Sequence, residues 1–479
     1  MPSYILNAPP TDVTTLDSGL RVASETTHGS ETATVGVWID AGSRFETASN
    51  NGAAHFLEHM SFKGTTKRTQ QALEVEIENM GGHLNAYTSR EQTVYYAKVF
   101  KKDVPKAVEI LGDILLDSKL EESAIERERD VILREMEEVN KLPEELILDH
   151  LHETAFQGTG LGRTILGPES NIRSLSRNDL VNYIDTHYTG ETKQAPSTQA
   201  KHTSKHASKH TPLSPLAPCS NTCLFSAPKM VIAGAGAIDH SELCNVVGDV
   251  FGSRVNNKKE SPVMEPARFT GSDKRVRFDR DALAHVALAF EGASWTSEYA
   301  VPLMLMQTIL GSYDRTSGAG ANHASKFAQE VAGHGLAHSY MTFNTSYKDT
   351  GLFGVYATAP DNKLEDLMWY MTSNLVRLVH KTTDEEVARA QNQLKAAMLM
   401  QLDGHAHVAE DIGRQMLTYG RRLTPSEIFA RIDAVDAADI RACAAKFIND
   451  QDHALSAIGP IHELPDYNWI RRRSYWLRY

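Results

Sequence analysis

The chain has 479 residues, of which 41% are hydrophobic and 23% are charged, so it has a globular composition and the length of roughly two to four domains. Its net charge of −12 disfavours binding to nucleic acid and is compatible with a cationic substrate. No run of about eighteen apolar residues predicts a membrane span. Four scattered cysteines predict reduced thiols rather than a disulfide framework.

The amino-terminal residues do not match a targeting segment. Residues 1–6 show neither the apolar core of a secretory signal nor an Arg-rich amphipathic presequence. If the protein works in an organelle, we expect its targeting segment to be missing from this chain or already removed.

The first predicted elements are two strands, over residues 15–25 and 34–41. The second of these is rich in β-branched and aromatic residues, which favour strands. The turn signal Asn50-Asn51-Gly52 follows, and we expect a helix to begin directly after it.

That helix carries the motif His55-x-x-Glu58-His59. Positions i, i+3 and i+4 share one helix face, so the three side chains converge on one point. Two imidazoles one turn apart can bind one Zn²⁺ at about 2.0–2.1 Å, and a carboxylate between them can accept a proton from water. The order is that of the inverzincins, although a five-residue pattern of common residue types also arises by chance.

The next predicted elements are a helix over 70–80, hairpin strands over 84–88 and 93–99, and an amphipathic helix over 104–116. A long helix over 121–141 follows, in which Glu128 and Glu135 lie seven residues apart and therefore on one face. Residues 121–153 hold twelve acidic and four basic residues. Such a run is typical of a solvated helix face, and its density also favours a binding role for part of it.

Three segments together carry a resemblance to a known family: residues 56–65, 81–88 and 126–136. They resemble the M16 (pitrilysin, insulinase) metallopeptidases, and the resemblance extends over nearly the whole chain, from Leu16 to Trp469. It is strongest to the branch that contains the mitochondrial processing peptidases and the core proteins of the cytochrome bc1 complex. It implies an α+β fold of two homologous halves, each a mainly antiparallel sheet with helices packed on it, which enclose a chamber.

The resemblance also implies a metal site with one Zn²⁺ per chain. In the family, the third zinc ligand is a Glu 76 residues beyond the second His, which is Glu135 here. His55, His59 and Glu135 would then leave a fourth position open, as catalytic zinc sites do. Glu58 is the implied general base, and Glu128 is implied to support a ligand, with a plain surface carboxylate as the alternative.

Substrate-binding residues are implied in the same way. The family holds peptides as an added strand at a sheet edge, which matches Asn85 and Ala86. Glu145 and Asp149 match a carboxylate pair that binds an Arg two residues before the cleaved bond, and Phe62 matches a Phe that packs on an aromatic residue after it. The alternatives are an ordinary pair of helix acids and a core Phe.

One segment departs from the family. Residues 190–228 are rich in Ser, Thr, Pro and Lys and repeat Lys-His at 201–202, 205–206 and 209–210. We expect a disordered surface insertion or a gene-model artefact, although the His residues and Cys219 and Cys223 leave metal binding open. The predicted domains are 1–254, with the zinc site, and 270–479, joined by a linker over 255–269.

The second half echoes the first without its motif. His285 to Trp295 resembles the strand that begins at Thr34, but the helix that follows from Tyr299 has no His-x-x-Glu-His. Gly234–Ile238 follows a strand but lacks the third Gly of a dinucleotide loop, and we reject a nucleotide site. The resemblance therefore implies a duplicated fold with one inactive copy.

Two classes of function are compatible with this sequence. One is a zinc endopeptidase that removes basic presequences in the mitochondrial matrix, together with an inert α subunit whose glycine-rich loop helps to recognise them. The other is a scaffold subunit of the cytochrome bc1 complex, at the matrix face of the inner membrane and in contact with other bc1 subunits. One protein can also serve both roles.

Overall fold

The computed structural model describes residues 9–188, 225–226, 229–256, 264–319 and 322–475. The strands are β1 Thr11–Thr15, β2 Arg21–Thr26, β3 Thr32–Ile39, β4 His83–Thr88, β5 Thr93–Phe100, β6 Phe225–Ser226, β7 Met230–Gly236, β8 Val255–Asn256, β9 Ser272–Arg277, β10 Ala284–Gly292, β11 Ser312–Asp314, β12 Ser339–Ser346, β13 Gly351–Ala359 and β14 Ala454–Gly459.

The helices alternate with these strands in two similar series. They are α1 Ala53–Ser61, α2 Gln70–Asn79, α3 Val104–Leu116, α4 Glu122–Val139, α5 Pro143–Ala155, α6 Glu169–Ser174, α7 Arg177–Tyr183, α8 His240–Phe251, α9 Ala300–Leu310, α10 Lys326–His334, α11 Leu364–His380, α12 Asp384–Gln401, α13 His405–Thr418, α14 Pro425–Asp433, α15 Ala437–Phe447 and α16 Tyr467–Arg471.

Each half of the chain is built on a six-stranded sheet. The first sheet has the order β1-β2-β7-β3-β5-β4, and the second has the order β11-β12-β13-β10-β14-β9. Pairing is antiparallel except between β2 and β7 and between β14 and β9. The central strands β7 and β13 are buried along their whole length, as expected where both faces of a sheet are covered.

The two halves exchange one helix each. Helix α5, from the first half, packs on β14, β10 and β9 of the second sheet, and α13, from the second half, packs on β7, β3 and β2 of the first. The shared apolar clusters place Ile147 and Leu151 against the second sheet, and Val408 and Ile412 against the first. The outer face of each sheet is therefore buried by a helix from the other half.

The structure confirms the α+β fold of two similar halves, whereas the chamber stays a prediction. The helix predicted after Gly52 is α1, and the helix predicted over 104–116 is α3. The hairpin predicted over 84–88 and 93–99 is formed by β4 and β5. A single strand over 15–25 was wrong, because Gly19 adopts φ +84° and turns the chain between β1 and β2. The domain boundaries stay predictions too, although the first two linker residues belong to β8, which pairs with β6.

Apart from β6, the predicted insertion over 190–228 lies outside the described residues, together with Cys219 and Cys223. Cys244 and Cys443 are free thiols. None of the described helices has the length and apolar content that crossing a membrane would need.

Candidate active site

Helix α1 begins at a buried, tightly constrained turn. Gly52 adopts φ +102°, and a Cβ atom at that position would lie 2.6 Å from the carbonyl oxygen of Leu166. The carboxylate of Glu46 accepts hydrogen bonds from the backbone N–H groups of Gly52 and Ala54 and from the Asn51 side chain. Burial raises the pKa of Glu46 to about 7 despite these bonds. Glu46 therefore fixes the start of the helix that carries the His motif.

His55, His59 and Glu135 meet in one cluster. His55 Nε2 lies 3.6 Å from Glu135 Oε1, and His59 Nε2 lies 3.2 Å from Glu135 Oε2. The imidazole centroids are 4.7 Å apart. One ligand atom from each of the three residues lies within 4.8 Å of the others. Helix α1 supplies both imidazoles one turn apart, and α4 supplies the carboxylate.

Glu128 supports this cluster from the neighbouring turns of α4. Its Oε1 is 2.9 Å from His59 Nδ1, and its Oε2 is 2.8 Å from the ammonium group of Lys63. Because Nδ1 is engaged by Glu128, the Nε2 atom of His59 is the one that faces Glu135. Glu128 is 5% exposed, so it is not a surface carboxylate.

The cluster is strongly coupled electrostatically. Burial lowers the pKa of His59, but hydrogen bonds with Glu128 and Glu135 outweigh burial and raise it to about 9. Hydrogen bonds with His55 and His59 hold the pKa of Glu135 far below its ordinary range. The protein thus places an anionic carboxylate against two ring nitrogens, an arrangement that attracts a cation once the imidazoles are neutral.

Glu58 lies on the cavity side of α1. The hydroxyl of Thr88, the last residue of β4, donates to Glu58 Oε2 at 2.6 Å. Glu58 and His55 line an open cavity of about 370 Å³ between α1, β4 and α5. The predicted base and His55, one of the predicted metal ligands, therefore line one cleft.

The same cavity is lined by Glu145 and Asp149, as the sequence led us to expect. Asp149, however, is already paired, because Arg90 Nη2 donates to its Oδ1 at 2.6 Å. Arg90 follows the end of β4 and is mostly buried. The structure brings the two carboxylates together but shows one of them bound to a guanidinium of the chain itself.

Phe62, Asn85 and Ala86 lie near the cleft without lining it. Phe62 packs on the core of the first half, with its ring 6.3 Å from that of Tyr95. Asn85 and Ala86 lie in β4, which pairs only with β5 among the described strands and leaves one edge open. The backbone N–H of Ala86 donates to Asn85 Oδ1 at 2.9 Å, so an added strand would displace that side chain to reach it.

Four residues that shape this site were not predicted from the sequence: Glu46, Lys63, Thr88 and Arg90. Lys63 and Thr88 stand inside the segments that carry the family resemblance, so their charge and hydroxyl offered a signal. Glu46 and Arg90 act through contacts that depend on the turns after β3 and β4, and no spacing rule indicates them.

Comparison with known families assigns both halves. Residues 21–169 match the family described as insulinase (peptidase family M16), and residues 224–394 match the M16 inactive domain. The chain belongs to the M16 peptidase family. The second match begins at the end of the first half and covers the beginning of the half in which the sequence lacks the His motif.

Similarity to individual M16 proteins extends over the whole chain. The chain is 52% identical over 480 residues to a probable mitochondrial-processing peptidase subunit beta of Arabidopsis thaliana. This alignment covers 100% of this chain and 83% of the relative. The chain is 50% identical to the human subunit beta, covering 99% and 89% of the two chains. It is also 50% identical to that of Blastocladiella emersonii, covering 100% and 95%.

A solved structure shares the fold. A chain of complex III from Candida albicans superposes with a TM-score of 0.80 at 24% identity, covering 98% of this chain and 100% of that one. The identity of about half to proteins named mitochondrial-processing peptidase subunit beta confirms the predicted resemblance to that branch.

Proposed function

We propose that this chain is the catalytic β subunit of a mitochondrial processing peptidase, a zinc endopeptidase that removes basic presequences from imported precursors. The observation that carries the proposal is the cluster of His55, His59 and Glu135 beside Glu58. The chain that holds this cluster is 50% identical to a protein named as that subunit. The family membership supports peptidase activity, and the cluster supports its dependence on a metal.

The donor set fits zinc. Two imidazole nitrogens and one carboxylate oxygen are the ligands of catalytic zinc sites, which keep one position for water or substrate. His55, His59 and Glu135 would hold the ion, and Glu128 would fix the orientation of His59. When bound, zinc would supply Lewis acidity to the scissile carbonyl and to the attacking water.

Glu58 is the proposed general base. Its carboxylate faces the cavity beside His55 and is oriented by the Thr88 hydroxyl. From there it would accept the proton of the attacking water and return it to the leaving amine. Its position on α1, one residue before His59, keeps the base and the ligands in fixed relation.

Substrate binding is proposed to use the open edge of β4 and the acidic wall of the cavity. A peptide added as a strand would bond the backbone at Asn85 and Ala86, which gives affinity without sequence preference. Glu145 and Asp149 would bind a substrate Arg, and Asp149 would share its charge between that Arg and Arg90. Phe62 stays a predicted contact for an aromatic residue beyond the cleaved bond.

The proposed location is the mitochondrial matrix, in a complex with a catalytically inert α subunit. The relatives named above are mitochondrial, and their designation as β subunits supports a partner chain. The alternative role, a core scaffold of the cytochrome bc1 complex, is a further prediction, since 24% identity to a complex III chain shows the fold alone.

The test is cleavage of a synthetic presequence by this chain co-purified with its α subunit. We expect one major cut, loss of cleavage after chelation, recovery with stoichiometric Zn²⁺, and no cleavage by the Glu58→Gln variant. A complex that contains zinc and both subunits but leaves several presequences intact would contradict the proposal. Blue-native separation of mitochondrial membranes, followed by the same assay on each band, distinguishes a soluble peptidase from a bc1 subunit.

A further inference from the structure

Strand β4 lies between helices of the two different halves. Leu84 and Ala86 pack against the first-half core, whereas Tyr87 belongs to the cluster formed with Val408 and Ile412 of α13. Neighbouring residues of a strand point to opposite faces, so Thr88 faces α1 where Tyr87 faces α13. The edge strand β4 therefore has α1 of the first half on one face and α13 of the second half on the other.

Glu410 of α13 holds the α13 side of this strand. The Tyr87 hydroxyl donates to Glu410 Oε1 at 2.5 Å, and Trp38 Nε1 donates to Glu410 Oε2 at 3.1 Å. Burial and the charge of Glu410 raise the pKa of Tyr87 well above its ordinary value, so its hydroxyl remains a donor. Each carboxylate oxygen is thus used by one donor of the first half.

A second contact from the same half holds the turn that follows β4. The backbone N–H of Lys348, in the turn between β12 and β13, lies 3.1 and 3.2 Å from the two carboxylate oxygens of Glu91. Arg44 donates to Glu91 and to Asp349, each at 2.6 Å. The turn that contains Glu91 is therefore linked to the second half directly by the Lys348 N–H group and, through Arg44, by Asp349.

We infer that Glu410 is a positioning residue for the cleft, through which the half that lacks the His motif aligns the edge strand and the base. Glu410 fixes Tyr87, the next residue Thr88 orients Glu58, and both lie in the strand whose open edge would receive the peptide. This inference rests on the proposed peptidase function. It assigns a role in that reaction to a half that carries no ligand of its own among the described residues.

The test compares Glu410→Gln and Tyr87→Phe with His407→Ala, an exposed residue one turn away on the same helix. Gln keeps the volume of Glu but offers one acceptor oxygen to two donors, so one donor loses its partner. We expect kcat/KM for an Arg-containing presequence to fall about tenfold in Glu410→Gln and less in Tyr87→Phe. Zinc content should stay unchanged, and the double variant should be no worse than Glu410→Gln, because both changes remove one interaction.

Hydrogen exchange separates positioning from general destabilisation. We expect amides of residues 83–88 to exchange about tenfold faster in Glu410→Gln than in the wild type, while the amides of β13 exchange at the wild-type rate. In His407→Ala, the amides of residues 83–88 should also exchange at the wild-type rate. Unchanged exchange and unchanged kcat/KM in both Glu410→Gln and Tyr87→Phe would overturn the inference, as would faster exchange spread over both halves. If the wild type cleaves no presequence, the proposed function fails, yet exchange at β4 still tests the contact.

Discussion

The two halves repeat the same series of elements but differ at the residues that matter for chemistry. Helices α4 and α12 are both 18 residues long and follow equivalent hairpins. Counted from the first residue of each helix, positions 7 and 14 are Glu128 and Glu135 in α4. The same two positions in α12 are Ala390 and Ala397. Helix α9, the counterpart of α1, contains no His, Asp or Glu. A duplicated scaffold is therefore kept, while the positions in α9 and α12 that were compared with α1 and α4 hold no metal-binding side chain.

The sheet edges differ as well. In the first half β4 leaves its outer edge open, whereas in the second half β11 pairs with β12 and covers the equivalent edge. An open edge can accept a peptide strand, and a covered edge cannot. The ligand cluster and the open edge of β4 thus occur together in the first half, whereas β12, the strand of the second half that corresponds to β4, is paired on both sides.

The largest effect is expected from variants that remove a metal ligand from the first half and so make it resemble the second. We expect Glu135→Gln and His59→Ala each to lose zinc and all measurable cleavage, because a site with three protein ligands has none to spare. Metal analysis and a presequence assay measure both effects. Glu138→Gln, an exposed acid on the same helix, is the matched control and should keep zinc and activity. Full zinc content in the two ligand variants would refute the assignment.

Removing the base alone sharpens the comparison, since it separates chemistry from metal binding. Glu58→Gln should retain zinc and lose at least about 10²-fold in kcat, because the side chain can no longer accept a proton. Single-turnover assays and metal analysis on one preparation check it. Near-normal turnover would show that the proton goes to another group.

The acidic wall of the cleft is the next feature to test. Glu145→Gln combined with Asp149→Asn should raise KM for Arg-containing presequences by about 10–100-fold, with little further loss for peptides without that Arg. Because Asp149→Asn also leaves Arg90 without its partner, Arg90→Gln and Glu145→Gln alone are needed as controls. Equal losses for both kinds of peptide would indicate a general acidic field instead of a clamp.

The packing between the halves can be tested by its effect on stability, at a position that holds none of the predicted metal ligands. Gly413 of α13 lies against the Trp38 indole, where an added Cβ atom would overlap ring atoms. Gly413→Ala should destabilise the protein by about 1–3 kcal/mol in urea unfolding, as overpacked core positions do. Gly248→Ala, in α8 with no neighbour within 4 Å, is the control and should be neutral or slightly stabilising. Equal stability of the two variants would exclude tight packing at Gly413.

The smallest effect is expected from the insertion. Deleting residues 194–224, and so sparing β6, should leave zinc content and cleavage almost unchanged, because the segment interrupts an otherwise continuous family match. Activity assays on the shortened chain test this. A deletion variant that folds and binds zinc but no longer cleaves would make the Lys-His repeat functional.

Local patterns made much of this molecule predictable from sequence. The His55–His59 pair needed only helix periodicity, and α3 and the β4–β5 hairpin followed from apolar spacing and glycine turns. Glu135 came from the family resemblance, since no local rule links it to His59. The early strand was mispredicted because the turn at Gly19 is set by one backbone angle within an otherwise strand-like run.

Contacts between distant residues were beyond the reach of sequence patterns. The Tyr87–Glu410 and Arg90–Asp149 pairs depend on how sheets and helices from separate parts of the chain come together. The exchange of α5 and α13 between the halves is also a contact of this kind. Each sequence predicts an amphipathic helix, but neither predicts which sheet that helix covers. Pairing of a carboxylate with the protein's own Arg90 likewise requires the three-dimensional structure.

The crossing of α13 also sets an order of events while the chain is being made. The strands β2, β3 and β7 are synthesised long before residue 405, so the sheet face with Trp38 and Val231 has no cover until the carboxyl-terminal part of the chain arrives. Uncovered apolar sheet faces are where partly folded chains aggregate. The first half therefore cannot complete its fold until α13 has been made, and its uncovered sheet face is prone to aggregation until then.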